Sequence, residues 1–191
     1  MMLPLLCLPL LGHGGHEGGA LSGLALVAAL PAEPAAMESA QAVARELGRF
    51  VPGVQFEAAT AAGRGPLAAG LHTGELILAV LTPAEALAIA ADEAREQAPG
   101  SPPGASPDAA PGLRVLAHLK GGLLLVSDRS LGAEHAYMVL FALYDPAGRG
   151  LLAADYRAPR QVLARAAAYP VPLHSGARDF LVRTAELEAG R

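Results

Sequence analysis

Residues 24–58 read LALVAALPAEPAAMESAQAVARELGRFVPGVQFEA, and most of the predicted architecture follows from them. The apolar run Leu24–Leu30 ends at Pro31, which predicts a short buried strand. In Met37–Phe50 the apolar residues recur at helical spacing with charged residues opposite them, which predicts an amphipathic helix. Val54–Ala58 alternates between apolar and polar residues, as a second strand does. Strand, helix and strand in this order predict a βαβ unit with parallel strands.

The alternation of strands and helices continues to about residue 97. A short helix opens at Gly65-Pro66 and closes at Gly74, because proline suits the first helical turn and glycine the position after the last. Leu76–Leu81 predicts a strand that is covered on both faces. Thr82-Pro83-Ala84-Glu85 has the spacing of a capping box, which starts a third helix. Right-handed crossovers then place helices on both faces of the sheet.

The second half of the chain predicts two more strands followed only by helices. Residues 98–112 are rich in Pro, Gly, Ala and Ser, which predicts a loop. The strand candidates are Leu113–Leu119 and Gly122–Val126. Four helices are expected at about 133–144, 149–156, 159–168 and 175–188, and the Ser175 hydroxyl is the expected cap of the last one. The chain therefore predicts an N-terminal tail, residues 1–20, and one α/β domain, residues 21–191, with a mostly parallel sheet.

Residues 169–180 read YPVPLHSGARDF, where two prolines favour an extended approach to the last helix. This motif resembles the C-terminal Pro-Leu-His-Pro-Gly-Ala motif of the TAXI-type solute receptors of TRAP transporters, with Ser175 in place of a proline. Val51-Pro52-Gly53-Val54 resembles the family's turn after the first helix. Residues 68–80 resemble the segment before its third helix. The resemblance extends from about Leu24 to Phe180.

The resemblance implies a type II periplasmic binding-protein fold and a role in transport of a small organic acid or amino acid such as glutamate. It also implies a periplasmic or extracytoplasmic location and a TRAP membrane subunit as partner. Residues 127–130 lead almost directly into the C-terminal helices, so no residues remain for the second lobe of such receptors. A single lobe is therefore expected, degenerate or dependent on a partner. Met138 and Phe141 belong either to the core or to an apolar face available for a homodimer.

The predicted ligand site lies beyond the carboxyl ends of the strands, where helix N-termini favour an anion. The candidate ligand-binding residues in the loops at this edge are Glu33, Gly63, Arg64 and Thr82. Arg64 can hold a carboxylate through two parallel hydrogen bonds, although it also fits a solvated loop residue, and Glu33 would oppose an anion. One lobe leaves one side of a small carboxylate ligand in water, so weak binding is expected.

Composition and motifs argue against several other classes of protein. The net charge of −4, without a basic run, argues against a nucleic-acid partner. Cys7 is the single cysteine, which excludes an internal disulfide. Met1–Leu11 is apolar but lacks a positively charged start, so it predicts an atypical signal segment or a tail. His13, His16 and Glu17 fit a flexible tail better than a metal site.

Three alternatives remain for the function. Residues 145–152 also resemble the end of phosphonate- or phosphate-type ABC receptors, whose ligand would be an oxyanion held by helix N-termini. A protein-interaction module without a transport role fits the same fold. No sequence motif supports a small hydrolase or metal protein, since a nucleophile elbow and a phosphate-binding loop are both missing. No catalytic residue and no cofactor is therefore expected, and a packing role is predicted for His174.

Overall fold

The computed structural model describes residues 24–51, 53–97, 112–145, 150–153, 156, 158–166, 169 and 171–189. The strands are β1 (Leu24–Ala29), β2 (Gln55–Thr60), β3 (Leu78–Leu81), β4 (Leu113–His118) and β5 (Leu124–Asp128). The helices are α1 (Pro34–Phe50), α2 (Arg64–Thr73), α3 (Pro83–Gln97), α4 (Ala133–Leu143), α5 (Pro159–Arg165) and α6 (Ser175–Ala189). The predicted order of elements up to β5 is confirmed.

The five strands form one sheet in the order β2-β1-β3-β5-β4. β1 is parallel to β2 and β3, with Leu24 opposite Gln55 and Val27 opposite Leu78. β5 is antiparallel to both β3 and β4, so β4 runs in the direction of the first three strands. The prediction of an α/β fold with a mostly parallel sheet is confirmed, and the architecture is consistent with a single lobe of the type II fold.

Helices cover both faces of this sheet. α1 packs on β1, β2 and β3 and contacts α4, which in turn contacts α6. α2 and α3 contact each other and pack on β3, with α2 also on β5 and α3 on β4. The chain moves from β1 to β2 and then back past β1 to β3, so right-handed crossovers put α1 and α2 on opposite faces. β3 is buried at every position between these layers.

The Pro-Leu-His motif lies along the outer edge of β4. The Val115 N–H donates to the Pro172 carbonyl (2.9 Å), and the His174 N–H donates to the Val115 carbonyl (2.8 Å). This pairing covers an edge that would otherwise present unpaired backbone groups. The motif then enters α6, where the His174 imidazole, rather than the predicted Ser175 hydroxyl, accepts the Gly176 N–H (3.1 Å). The predicted helix start is confirmed, while the predicted capping group is wrong.

The sequence predicts a helix at residues 149–156. The described part of this segment pairs with the end of β4 instead. The Ala153 N–H donates to the His118 carbonyl (2.9 Å), and the Lys120 N–H donates to the Leu151 carbonyl (3.0 Å). Leu152 forms an antiparallel bridge with Leu119. Long-range backbone pairing therefore outweighs the local helical spacing in this segment.

Met138 and Phe141 are 45% and 51% exposed on α4, so they belong to the surface and not to the core. The Phe141 ring packs edge-on against Phe50, with centroids 5.5 Å apart. The tail with Cys7 and the histidine pair, the loop at 98–111, and part of the segment 145–152 lie outside the described residues. Within the described ranges, every helix is too short or too polar to cross a membrane.

Candidate functional site

The predicted ligand-binding residues lie at three neighbouring strand ends. Glu33 precedes α1 after β1, and Gly63 and Arg64 start α2 after β2. Thr82 stands between β3 and α3. Since β1 lies between β2 and β3, the three loops share the carboxyl edge of the sheet, and the N-termini of three helices open there. This is the edge where open α/β sheets bind ligands.

The polar groups of Thr82 are engaged in the predicted capping box. Its hydroxyl donates to the Glu85 carboxylate (2.9 Å), and its backbone N–H donates to the same oxygen (2.8 Å). In return, the Glu85 N–H donates to the Thr82 hydroxyl (3.2 Å). A ligand would have to displace Glu85 to use Thr82, so the side chain primarily holds the start of α3.

Replacing Thr82 by alanine is expected to lower the free energy of unfolding by about 1 kcal/mol, because the cap and its reciprocal bond are lost. Thr73→Ala is the matched control, since that hydroxyl makes a longer bond to the Gly70 carbonyl (3.3 Å) at the exposed end of α2. Urea unfolding of both variants measures the difference. Equal stability of the two variants would contradict a capping role for Thr82.

Arg64 lines a groove of about 450 Å³ between α2 and α3. The groove extends from Arg64 along the helices to His72, Asp92, Glu93 and Arg129, and its lining does not include Glu33 or Thr82. Asp92 pairs with Arg95 at 2.7 Å, and the Glu93 carboxylate accepts the Leu113 N–H at 3.3 Å. The structure therefore places Arg64 at the predicted edge but does not bring Glu33 and Thr82 into the same groove.

Lys120 is a further cation at this edge that the predicted site did not include. Lys120, Gly121 and Gly122 form a tight turn between β4 and β5, in which both glycines have positive φ angles of 82° and 78°. Such angles favour glycine over other residues. The turn, Pro83 and Ala153 line a cavity of about 370 Å³. The Lys-Gly-Gly sequence between two strand candidates was the signal that could have placed this lysine at the strand ends.

Asp128 holds the turn that follows β5. The Asp128 carboxylate accepts the Ser130 N–H (2.7 Å), and its carbonyl accepts the Leu131 N–H (3.2 Å). His72 lies 3.7 Å from the other Asp128 carboxylate oxygen. Over the described ranges, His, Cys, Asp and Glu side chains do not form a group of three that could hold a metal ion.

No protein-family model matches this chain, and no curated protein matches it at a significant level.

Proposed function

We propose that this protein is a single-lobed relative of the TAXI-type solute receptors and binds a small organic acid, such as glutamate, at the carboxyl edge of its sheet. The observation that carries the proposal is the sheet order β2-β1-β3-β5-β4, which gathers the N-termini of α1, α2 and α3 at one edge. The backbone N–H groups and dipoles of helix N-termini favour an anion. Arg64 and Lys120 add two cations at this edge.

A single lobe leaves this edge open on one side, whereas small-ligand pockets usually bury most of the ligand surface. Binding by the isolated chain should therefore be weak, with a dissociation constant of about 1 mM, which corresponds to about −4 kcal/mol. A partner would supply the missing wall: a TRAP membrane subunit or a second copy of the chain. The proposal includes a periplasmic or extracytoplasmic location and assigns no catalytic step to the protein.

Isothermal titration calorimetry with glutamate at constant ionic strength tests this proposal. Arg64→Gln is expected to weaken glutamate binding about tenfold, because a charge-assisted pair with the carboxylate is lost. Arg45→Gln, on the exposed side of α1, is the matched control and should bind as the wild type does. Sub-micromolar binding would contradict the single open lobe, and an equal effect of both variants would contradict the role of Arg64.

A phosphonate is the informative second titrant, because it represents the alternative of an oxyanion receptor. Glutamate and the phosphonate differ in head group but would meet the same helix N-termini. If the phosphonate binds more tightly and Arg64→Gln weakens it, the ligand class changes while the site stays. If neither compound binds at millimolar concentration, the proposed transport-related function is wrong.

A further inference from the structure

A second cavity lies at the opposite, amino-terminal edge of the sheet. It has a volume of about 380 Å³ and is lined by Arg114, Arg129 and Arg178, with His174, Ser175 and Asp179 beside them. Arg114 stands near the start of β4, and Arg129 follows the end of the antiparallel strand β5. Arg178 lies in the first turn of α6. The two ends of the β4–β5 hairpin and the start of α6 therefore bring three arginines to one cavity.

Backbone pairing fixes the positions from which these arginines extend. Arg114 lies opposite Ser127 in the pairing of β4 with β5. The Arg129 N–H donates to the Gly112 carbonyl (2.7 Å), which ties the turn after β5 to the start of β4. The Arg178 N–H donates to the His174 carbonyl (3.0 Å) in the first turn of α6. Ligand binding here would require little rearrangement of the backbone, which favours affinity.

The carboxylates near Arg114 also accept hydrogen bonds from backbone groups. Asp128 accepts the Ser130 N–H, and Glu93 accepts the Leu113 N–H. Burial and then the like charge of Arg129 lower the pKa of Arg114, and both effects exceed the opposing effects of Asp128 and Glu93. Asp179 is the acidic residue in the cavity lining. The repulsion between Arg114 and Arg129 would be relieved by an anion placed between them.

We propose that this cavity is a binding site for a phosphate-type oxyanion, held by Arg114 and Arg129 on one side and by Arg178 on the other. A guanidinium group presents a planar fork of donors that matches a phosphate group with two parallel hydrogen bonds. The cavity volume falls at the small end of the range for ligand pockets, which suits inorganic phosphate or a small phosphate ester. The N-terminus of α6 adds to the positive potential, but the three arginines carry the proposal.

The cavity lies at the opposite edge of the sheet from the proposed carboxylate site, and Arg129 lines both this cavity and the groove that begins at Arg64. Calorimetric titration with inorganic phosphate, with ionic strength held constant by sodium chloride, tests it directly. Arg129→Gln and Arg178→Gln are each expected to raise the dissociation constant for phosphate about tenfold, since each removes a charge-assisted contact. Arg160→Gln, on the exposed side of α5, is the matched control and should bind phosphate as the wild type does.

Two further comparisons make the test specific. Arg178→Lys keeps the charge but loses the planar fork, so it should bind phosphate with an affinity between those of wild type and Arg178→Gln. Arg178 does not line the groove that contains Arg64, so Arg178→Gln should weaken phosphate binding and leave glutamate binding as in the wild type. This contrast separates the two sites. Phenyl phosphate is the second titrant: tighter binding than phosphate identifies an ester as the preferred source of the oxyanion, and equal binding identifies the free ion.

Thermal unfolding in chloride buffer checks that each variant is folded before it is titrated. Both Arg129 and Arg178 are exposed, so their replacement is expected to leave the fold intact. The proposal is overturned if phosphate binds no better than chloride does. It is also overturned if Arg129→Gln and Arg178→Gln bind phosphate as tightly as Arg160→Gln.

Discussion

Replacing Gly176 by alanine is expected to lower the free energy of unfolding by about 3 kcal/mol, among the largest effects of adding a single methyl group. A Cβ atom at this position would overlap with the Ala133 carbonyl oxygen and come within 2.9 Å of the Ala136 Cβ. Both obstacles belong to α4, and one of them is backbone, so a side-chain rotation cannot remove the overlap. α6 would have to move away from α4, and urea unfolding monitored by circular dichroism measures the cost.

Gly48→Ala is the matched control for Gly176→Ala. Gly48 lies on the exposed side of α1, and a Cβ atom there would meet nothing within 4 Å. Alanine should stabilise α1 by about 0.5–1 kcal/mol, because glycine costs more backbone entropy in a helix. The two substitutions are chemically identical and are expected to have opposite signs. A Gly176→Ala protein that is as stable as Gly48→Ala would show that α4 and α6 do not approach this closely.

The first three strands and three helices could be predicted because their signals are local. Proline and glycine mark the ends of the elements, and the capping box at Thr82 marks the start of α3. Gly74, predicted to close α2, has a positive φ of 77°. The direction of β5 had a local signal that the prediction of a mostly parallel sheet did not use: the Lys120–Gly122 turn is too short for the crossover that a parallel strand requires. The bridge of Leu152 to Leu119, by contrast, depends on residues that are distant in the sequence.

For the candidate site, the edge of the sheet could be predicted, whereas the grouping of side chains in one cavity could not. The carboxyl ends of β1, β2 and β3 follow from the alternation of strands and helices, so Glu33 and Arg64 could be placed at one edge. Which side chains share a cavity depends on helix packing, and the groove at Arg64 turns toward His72 for this reason. The cavity with Arg114, Arg129 and Arg178 could not be inferred, because only the pairing of β4 with β5 and the docking of α6 bring these residues together.

His174 of the Pro-Leu-His motif is a buried side chain that packs where α6 begins, as its predicted packing role requires. The Gly176 N–H donates to Nδ1 (3.1 Å), so the ring proton resides on Nε2, which then donates to the Leu131 carbonyl (2.9 Å). The ring thereby joins the loop before α4 to the first turn of α6. Only 2% of His174 is exposed, and this burial lowers its pKa from the ordinary value of 6.5, assisted by the charge of Arg114 and opposed by Leu131 and Asp128.

Replacing His174 by leucine is expected to lower the free energy of unfolding by about 3 kcal/mol at pH 7.5, because the Gly176 N–H and the Leu131 carbonyl lose their partner. The pH dependence of the free energy of unfolding should change as well. Below pH 6.5 the unfolded chain binds a proton at His174 that the folded protein resists, so wild-type stability falls as the pH decreases, by at most about 1.4 kcal/mol per pH unit from this group.

The leucine variant lacks this linkage, so its stability should fall less than that of the wild type between pH 7.5 and pH 5.5. The gap in unfolding free energy between the two proteins should therefore be smaller at pH 5.5 than at pH 7.5. Urea unfolding at both pH values measures the gap, with His135→Gln, an exposed position on α4, as the control that should follow the wild type. A gap that stays constant or widens in acid would mean that His174 is protonated in the folded protein, and its Nδ1 could not then accept the Gly176 N–H.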